Sequence, residues 1–286
     1  MALRIVIVGP GRVGIALARR FSAKRVTVCG FVGRDATRTA AAVQAAGVGD
    51  VLQFADLPRA HVVLFTVGDD DLRSAIQQAV AAATPRACSL WVHTSGRHDL
   101  SLFDGVVGIR RGVLHPAVPV VDGPGGAAGL VGAPGVYHGD ANARHLLALL
   151  CEFADLTPIE AAAGDRVLYH AACALAANGL TALVDVVQRT FARSGVVADA
   201  SASALGAALM QAALRNCHEH GAAAALTGPV RRGDAATVAL HRAHLQAALP
   251  QVLPIYDALS QVALALARAD LPADRAAAVA AALRGS

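Results

Sequence analysis

Gly9-Pro10-Gly11-Arg12-Val13-Gly14 follows the apolar run Arg4-Ile5-Val6-Ile7-Val8 directly and opens into Ile15-Ala16-Leu17-Ala18-Arg19-Arg20. The first run has the length of a buried strand, and the last has helical spacing. A G-x-G-x-x-G between strand and helix is the context that dinucleotide binding requires. Each glycine has a physical task in it: Gly9 permits the tight turn, Gly11 lets backbone approach a pyrophosphate, and Gly14 lets the helix pack close to the strand. The opening of the helix offers unpaired N–H groups and partial positive charge to phosphates. All six residues from Gly9 through Pro10, Gly11, Arg12 and Val13 to Gly14 are therefore expected at a nucleotide. The competing reading is a glycine-rich turn with no ligand.

Outward from this turn, short apolar runs alternate with helical stretches up to about residue 160. Strands are expected at Arg4–Val8, Val26–Val32, Val62–Val67, Ser89–His93 and Gly108–Leu114, with a short one near Val136–His138. Helices are expected at Gly14–Phe21, Ala36–Ala46 and Asp70–Ala83. This is the pattern of a doubly wound α/β domain with a parallel sheet, which binds ligands at the carboxyl ends of its strands. Asp122-Gly123-Pro124-Gly125-Gly126 is rich in turn residues and is expected to be a loop.

From about Gly164 the texture changes. Alanine- and leucine-rich segments run over Asp165–Arg193, Ala198–Ala224, Asp234–Ala248, Pro250–Ala269 and Pro272–Arg284, punctuated by Gly195, Gly221, Gly233 and Pro250. The expected organisation is an α/β nucleotide-binding domain over residues 1–160 and an all-helical domain over 161–286. Small residues on so many helix faces suit packing against a second copy of the chain.

Composition sets limits. The 286 residues are 55% hydrophobic but only 4% aromatic, so Ala, Val and Leu must fill the core. The net charge of +4 comes from dispersed arginines, and with few aromatic rings to stack on bases this argues against nucleic acid as a partner. Mean hydropathy is +0.48. The most apolar stretches are nevertheless broken by Arg, Asp, Gln or Gly, and the amino terminus has no basic segment leading to an apolar one, so the expectation is a cytoplasmic protein with no membrane span. Cys29, Cys88, Cys151, Cys173 and Cys217 form no C-x-x-C pair and are expected to be reduced, small core residues.

The choice of nucleotide rests on Gly33-Arg34-Asp35 at the end of the second expected strand. An acidic residue there would hydrogen-bond a ribose 2′-hydroxyl and favour NAD, whereas Arg34 suits a 2′-phosphate and adenine stacking, which favours NADP. Asp35 is either a helix cap or a ribose contact. NADP is the expected cofactor, with NAD as the alternative.

Later motifs join the first: Thr66-Val67-Gly68-Asp69-Asp70, His93-Thr94-Ser95-Gly96, Leu114-His115-Pro116, Leu168-Tyr169-His170-Ala171-Ala172-Cys173-Ala174 running on to Asn178, and Ala225-Leu226-Thr227-Gly228-Pro229-Val230-Arg231-Arg232-Gly233-Asp234. Together they resemble the Rossmann-like proteins that carry the helical domain of unknown function 2520. These are relatives of deazaflavin-dependent NADP oxidoreductases, pyrroline-5-carboxylate reductases and β-hydroxyacid dehydrogenases. The resemblance implies a nucleotide-binding domain, a helical dimerisation domain and a reductase activity. This chain departs from the group at Gly68, where Pro is usual, and at Ala117-Val118-Pro119-Val120, which replaces a more polar and aromatic segment.

Reducing a carbonyl or imine needs a hydride donor, a proton donor and groups that orient a small-molecule substrate. His170 resembles the lysine of the β-hydroxyacid dehydrogenases and is the expected proton donor. Asn178 is expected to be a substrate-orienting amide. On a regular α-helix the two lie about 80° apart around the axis and about 12 Å along it, with Tyr169 opposite Asn178. His115, held extended by Pro116, is a second acid/base candidate. Thr66, Val67 and Gly68 and His93, Thr94 and Ser95, at two strand ends, are expected to meet the nucleotide, although Thr94 and Ser95 also suit a turn. Arg232 suits either an anionic substrate or a pair with Asp234. Cys217-His218-Glu219-His220 and His241/His244 lack a recognised ligand spacing, and no metal is expected. A nucleotide-binding protein without catalysis, sensing NADP(H) or serving a partner, is the alternative function.

Overall fold

The computed structural model describes residues 3–24, 26–162 and 164–285. It divides into two compact units, Met1–Ala177 and Asn178–Ser286.

The first unit contains an eight-stranded sheet: β1 (Arg4–Val8), β2 (Thr27–Val32), β3 (Asp50–Leu52), β4 (Val62–Phe65), β5 (Leu90–His93), β6 (Arg110–Pro116), β7 (Pro134–Gly139) and β8 (Thr157–Glu160). Their order is β3-β2-β1-β4-β5-β6-β7-β8, parallel except where β7 runs antiparallel to β6. The order reverses between β1 and β4, which makes the fold Rossmann-like and opens a crevice at the carboxyl ends of those strands. The sequence pattern anticipated the buried strands but not β3 or β8. Those two edge strands are short and largely exposed, so no apolar run marks them.

The side-chain alternation of the strands builds two cores. Ile5, Ile7, Val62, Leu64, Leu90 and Val92 face one side, where α1 (Arg12–Ala23), α2 (Ala36–Ala46) and, further on, α5 (Arg144–Phe153) deliver Leu17, Phe21, Ala42 and Leu147. Val6, Val8, Val63, Phe65 and Trp91 face the other, covered by Leu72 and Ile76 of α3 (Leu72–Ala82) and by Phe103. Truncating one of these side chains, for instance Leu17→Ala, removes about 2–5 kcal/mol of stability. Asp35 settles its two readings toward the cap: its carboxylate accepts from the Arg38 backbone N–H at 2.9 Å and starts α2. The expected loop at Asp122–Gly126 instead contains a five-residue helix, α4 (Pro124–Ala128), which starts with proline at its first position.

The unit extends to Ala177, past the expected boundary at 160, and includes α6 (Arg166–Ala174), which reaches β6 through the Tyr169–His115 hydrogen bond. Asp165 caps α6 by accepting from Val167 and Leu168 N–H at 2.9 Å.

The second unit is helical: α7 (Leu180–Ser194), α8 (Asp199–His220), α9 (Ala222–Ala225), α10 (Gly228–Arg232), α11 (Ala235–Ala248), α12 (Leu253–Ala267) and α13 (Ala273–Arg284). Val230, Val238, Leu264, Val279 and Leu283 form its core. Arg242 ties three helices by donating to Asp257 at 2.7 Å and to the Ala282 carbonyl at 2.9 Å. Asp234 caps α11 by accepting from Thr237 N–H at 3.0 Å. The helical stretch Arg166–Ser194 is, by length and composition alone, long and apolar enough to cross a membrane. Within the second unit α8 approaches α7 closely at Gly206, where a Cβ would stand 3.2 Å from Val187. Leu175 and Leu180 of the stretch are exposed.

Candidate functional site

The glycine turn assembles at the sheet reversal. Gly9 has φ +114°, and its N–H donates to the Val32 carbonyl at 2.9 Å. A Cβ on it would lie 2.7 Å from Val67 N and 2.8 Å from the Thr66 carbonyl carbon, so both conformation and space require glycine. A Cβ on Gly14 would lie 2.6 Å from Thr66 Oγ1 and 2.7 Å from the Gly9 carbonyl oxygen. Thr66 Oγ1 donates to that carbonyl at 2.8 Å, fastening the end of β4 to the turn. Gly11 differs. It is the N-cap of α1 with ordinary extended dihedrals, φ −99° and ψ 178°, and the nearest atom to a Cβ there is the Thr66 carbonyl oxygen at 3.9 Å. No side chain caps α1, and no acidic residue occupies its first turn. Its opening N–H groups therefore face an open space with positive potential.

That space is a cavity lined by Gly9, Pro10, Gly11, Gly33, Arg34, Thr66, Val67 and Gly68. Arg12, Val13 and Gly14, also expected at the nucleotide, do not line it. Arg12 is exposed and stands 4.0 Å from Asp122, Val13 packs on the core, and Gly14 serves helix packing. Beyond Gly33, exposed Arg34 donates to Asp71 Oδ2 at 3.1 Å, and Arg38, Phe54, Ser74 and Gln78 complete the wall. Sequence reading missed Phe54, Ser74 and Gln78. Phe54 follows the unmarked β3, and Ser74 and Gln78 share a face of α3, four residues apart, a spacing that could have revealed them.

Further along the sheet, Val8, Phe65, His93 and Val113 stand in one row across β1, β4, β5 and β6. His93 occupies a core register position. Its ring is 0% exposed, stacks near Phe103 at 5.6 Å and bonds the Asp99 carbonyl through Nε2 at 3.0 Å. Burial pushes its pKa down to about 4. Its side chain thus faces the interior. Thr94 Oγ1 donates to the Phe65 carbonyl at 3.4 Å, and Ser95 Oγ accepts from the Arg97 and His98 N–H groups at 3.1 Å, so both hydroxyls serve the turn.

Two residues past that row is His115, and here α6 meets the sheet. Nδ1 of His115 and the Tyr169 hydroxyl hydrogen-bond at 2.8 Å. The His170 ring stands edge-on to His115, with centroids 6.1 Å apart. Gly96 makes this approach possible, since a Cβ there would lie 2.7 Å from His170 Nδ1 and 3.1 Å from His115 Nε2. Burial first, then the charges of His170 and Arg166, push the His115 pKa down to about 4 against the opposing pull of Asp69. The imidazole is therefore neutral at pH 7. Burial and a hydrogen bond with Cys173 hold the Tyr169 hydroxyl well above its ordinary range.

Arg166 lies one turn before His170, its guanidinium 5.4 Å from the Tyr169 ring centre and its Nε donating to the His98 carbonyl at 3.4 Å. Tyr169 and Arg166 were not foreseen, because their partners lie across the sheet, 54 and 68 residues away. The expected pairing of His170 with Asn178 assumed a regular helix. A π-helical turn over Leu175–Gly179 intervenes and changes the phase, so the 80° figure does not apply. Asn178 belongs to the second unit, where it is exposed. Among the described residues, no group of three or more His, Cys, Asp or Glu is arranged to hold a metal.

No curated protein matches the chain by sequence. Among solved structures, a Bacteroides fragilis protein provisionally named an NADP oxidoreductase superposes with a TM-score of 0.75 at 18% identity, covering 92% of this chain and 98% of that one. The pyrroline carboxylate reductase of Plasmodium falciparum, solved with NADP bound, gives 0.59 at 11% identity, covering 93% and 98%. The reductive aminase of Aspergillus terreus, solved with NADPH and ethyl-5-oxohexanoate, gives 0.57 at 18% identity, covering 100% and 95%. At these identities the likeness is one of fold. Residues 134–263 match the family described as Domain of unknown function (DUF2520), and the resemblance read from the motifs holds over that part of the chain.

Proposed function

We propose that this chain is an NADP-dependent oxidoreductase that reduces a small carbonyl or imine compound. The observation that carries the reading is the contrast among the turn glycines. Gly9 and Gly14 are required by packing, whereas the space beside Gly11 is open and belongs to the cavity. A fold needs the first two, and an occupant needs the third.

The residues present fit a dinucleotide: the N–H groups opening α1 would take the pyrophosphate, and Arg34 with Arg38 a 2′-phosphate. Once bound, the nucleotide supplies the hydride. The protein supplies the proton. If Tyr169 donates to Nδ1 of His115, the single proton of the neutral ring sits on Nε2, the atom beside Gly96. His170 is the proposed acid at this corner, delivering a proton to the oxygen or nitrogen of the reduced bond, and neutral His115 polarises that atom by donating a hydrogen bond from Nε2–H. The proposal extends to a cytoplasmic homodimer formed through the helical unit, supported by the exposed Leu209, Leu214, Leu240 and Val262.

The experiment is NADPH oxidation with a panel of keto acids, ketones and cyclic imines. Turnover with at least one of them is expected, and it should fall in His170→Ala and His115→Ala while NADPH affinity stays nearly intact. Tight NADPH binding with no oxidation across the panel would favour a non-catalytic sensor. Unchanged turnover in both variants would remove the acid assignment.

A further inference from the structure

Among the described residues Arg166 has no carboxylate within ion-pair distance, and Asp99 acts on it only from further off. Its neighbour Arg97 pairs with Asp69 at 3.5 Å and Asp70 at 3.1 Å. Arg166 meets a backbone carbonyl and the face of Tyr169, and its Nη2 is buried with no hydrogen-bond partner. His170 Nδ1, one helical turn on, is likewise buried and unpartnered. A guanidinium stays charged at every physiological pH, and a buried Nη2 with no acceptor leaves that charge incompletely met. Two unmet polar atoms on one helix face, beside a neutral imidazole, mark a place built for a ligand rather than for the fold.

We infer that Arg166 forms an anion subsite for a small planar carboxylate, and that the molecule reduced at His115 and His170 bears this carboxylate next to its reducible carbon. The planar fork of Arg166 matches the two oxygens of a carboxylate. Residues four apart on a helix have Cβ atoms about 5–6 Å apart, so a carboxylate on Arg166 brings the adjacent carbonyl or imine to His170. The assignment of the subsite to a reduced substrate rests on the proposed function, but the carboxylate binding does not.

The test is calorimetric titration with oxamate, a flat carboxylate beside a carbonyl, with its uncharged relative oxamide and with inorganic phosphate, each with and without NADPH. Saturable oxamate binding is expected. Oxamide should bind at least tenfold more weakly, and Arg166→Gln should lose oxamate affinity roughly 10- to 100-fold while keeping NADPH affinity. Arg166→Lys, which keeps the charge without the fork, should fall between. Should Arg166→Gln fail to fold, wild-type imidazole proton resonances of His115 and His170 shifting with oxamate, and not with oxamide, give the same answer. Equal binding of oxamate and oxamide, preference for phosphate, or unchanged oxamate affinity in Arg166→Gln overturns the subsite. Oxamate binding that survives a failure of NADPH to bind supports the subsite and refutes only the oxidoreductase reading.

Discussion

Replacing Gly11 by alanine separates what the fold needs from what a nucleotide needs. The added methyl meets nothing closer than the Thr66 carbonyl oxygen at 3.9 Å, and φ −99° suits alanine. Loss of a good N-cap residue costs up to about 1 kcal/mol, and the stiffer unfolded chain returns about 0.4–1 kcal/mol, so stability should change by less than about 1 kcal/mol. The methyl does, however, enter the space where a pyrophosphate would lie against the backbone. Losing one charge-assisted hydrogen bond there costs about 1.5–3 kcal/mol, which weakens NADPH binding by roughly 10- to 100-fold. Urea unfolding and calorimetric titration of the same preparation measure the two quantities. Unchanged NADPH affinity in Gly11→Ala, with the fold intact, would refute the reasoning. A loss of several kcal/mol in stability would refute the claim that this glycine is spared by packing.

The other turn glycine should behave in the opposite sense. Gly14→Ala forces a methyl to 2.6 Å from Thr66 Oγ1 and disturbs its bond to Gly9, so overpacking of about 1–3 kcal/mol and a weakened hydrogen bond of about 1 kcal/mol should lower the urea midpoint clearly. Arg34→Ala should weaken NADPH roughly 10- to 100-fold and NADH far less, and equal effects would remove Arg34 from the 2′-phosphate. Acid should destabilise the sheet domain, because His93 and His115 have folded pKa values of about 4 against an ordinary 6.5. Above pH 6.5 stability is full; as pH falls toward 4 the unfolded chain binds protons that the folded one refuses, costing about 3 kcal/mol per site. Urea midpoints measured across this window should fall, with a shallower fall in His93→Phe, and flat midpoints would contradict the burial argument.

Much of the sheet domain was legible because parallel strands buried on both faces must be apolar throughout, as Ile5 to Val8 and Val62 to Phe65 are. The glycine turn was legible for a related reason, since a tight approach leaves its mark as missing side chains. The edge strands β3 and β8 carry no such constraint and left no pattern. Where β6 meets α6, His115 and His170 were singled out by chemistry, but their meeting depends on Gly96 and Tyr169. No periodicity along the chain encodes a contact between β6 and a helix more than fifty residues later. The π-helical turn at Leu175–Gly179 was equally invisible, and it is what undoes the geometric pairing of His170 with Asn178.

Seating of phosphates against the opening of α1 is tested most directly by calorimetric titration of the wild-type protein with NADPH and NADH. Saturable binding of about one nucleotide per chain, tighter for NADPH, is expected. Absence of binding for both nucleotides, oxidised and reduced, would contradict it.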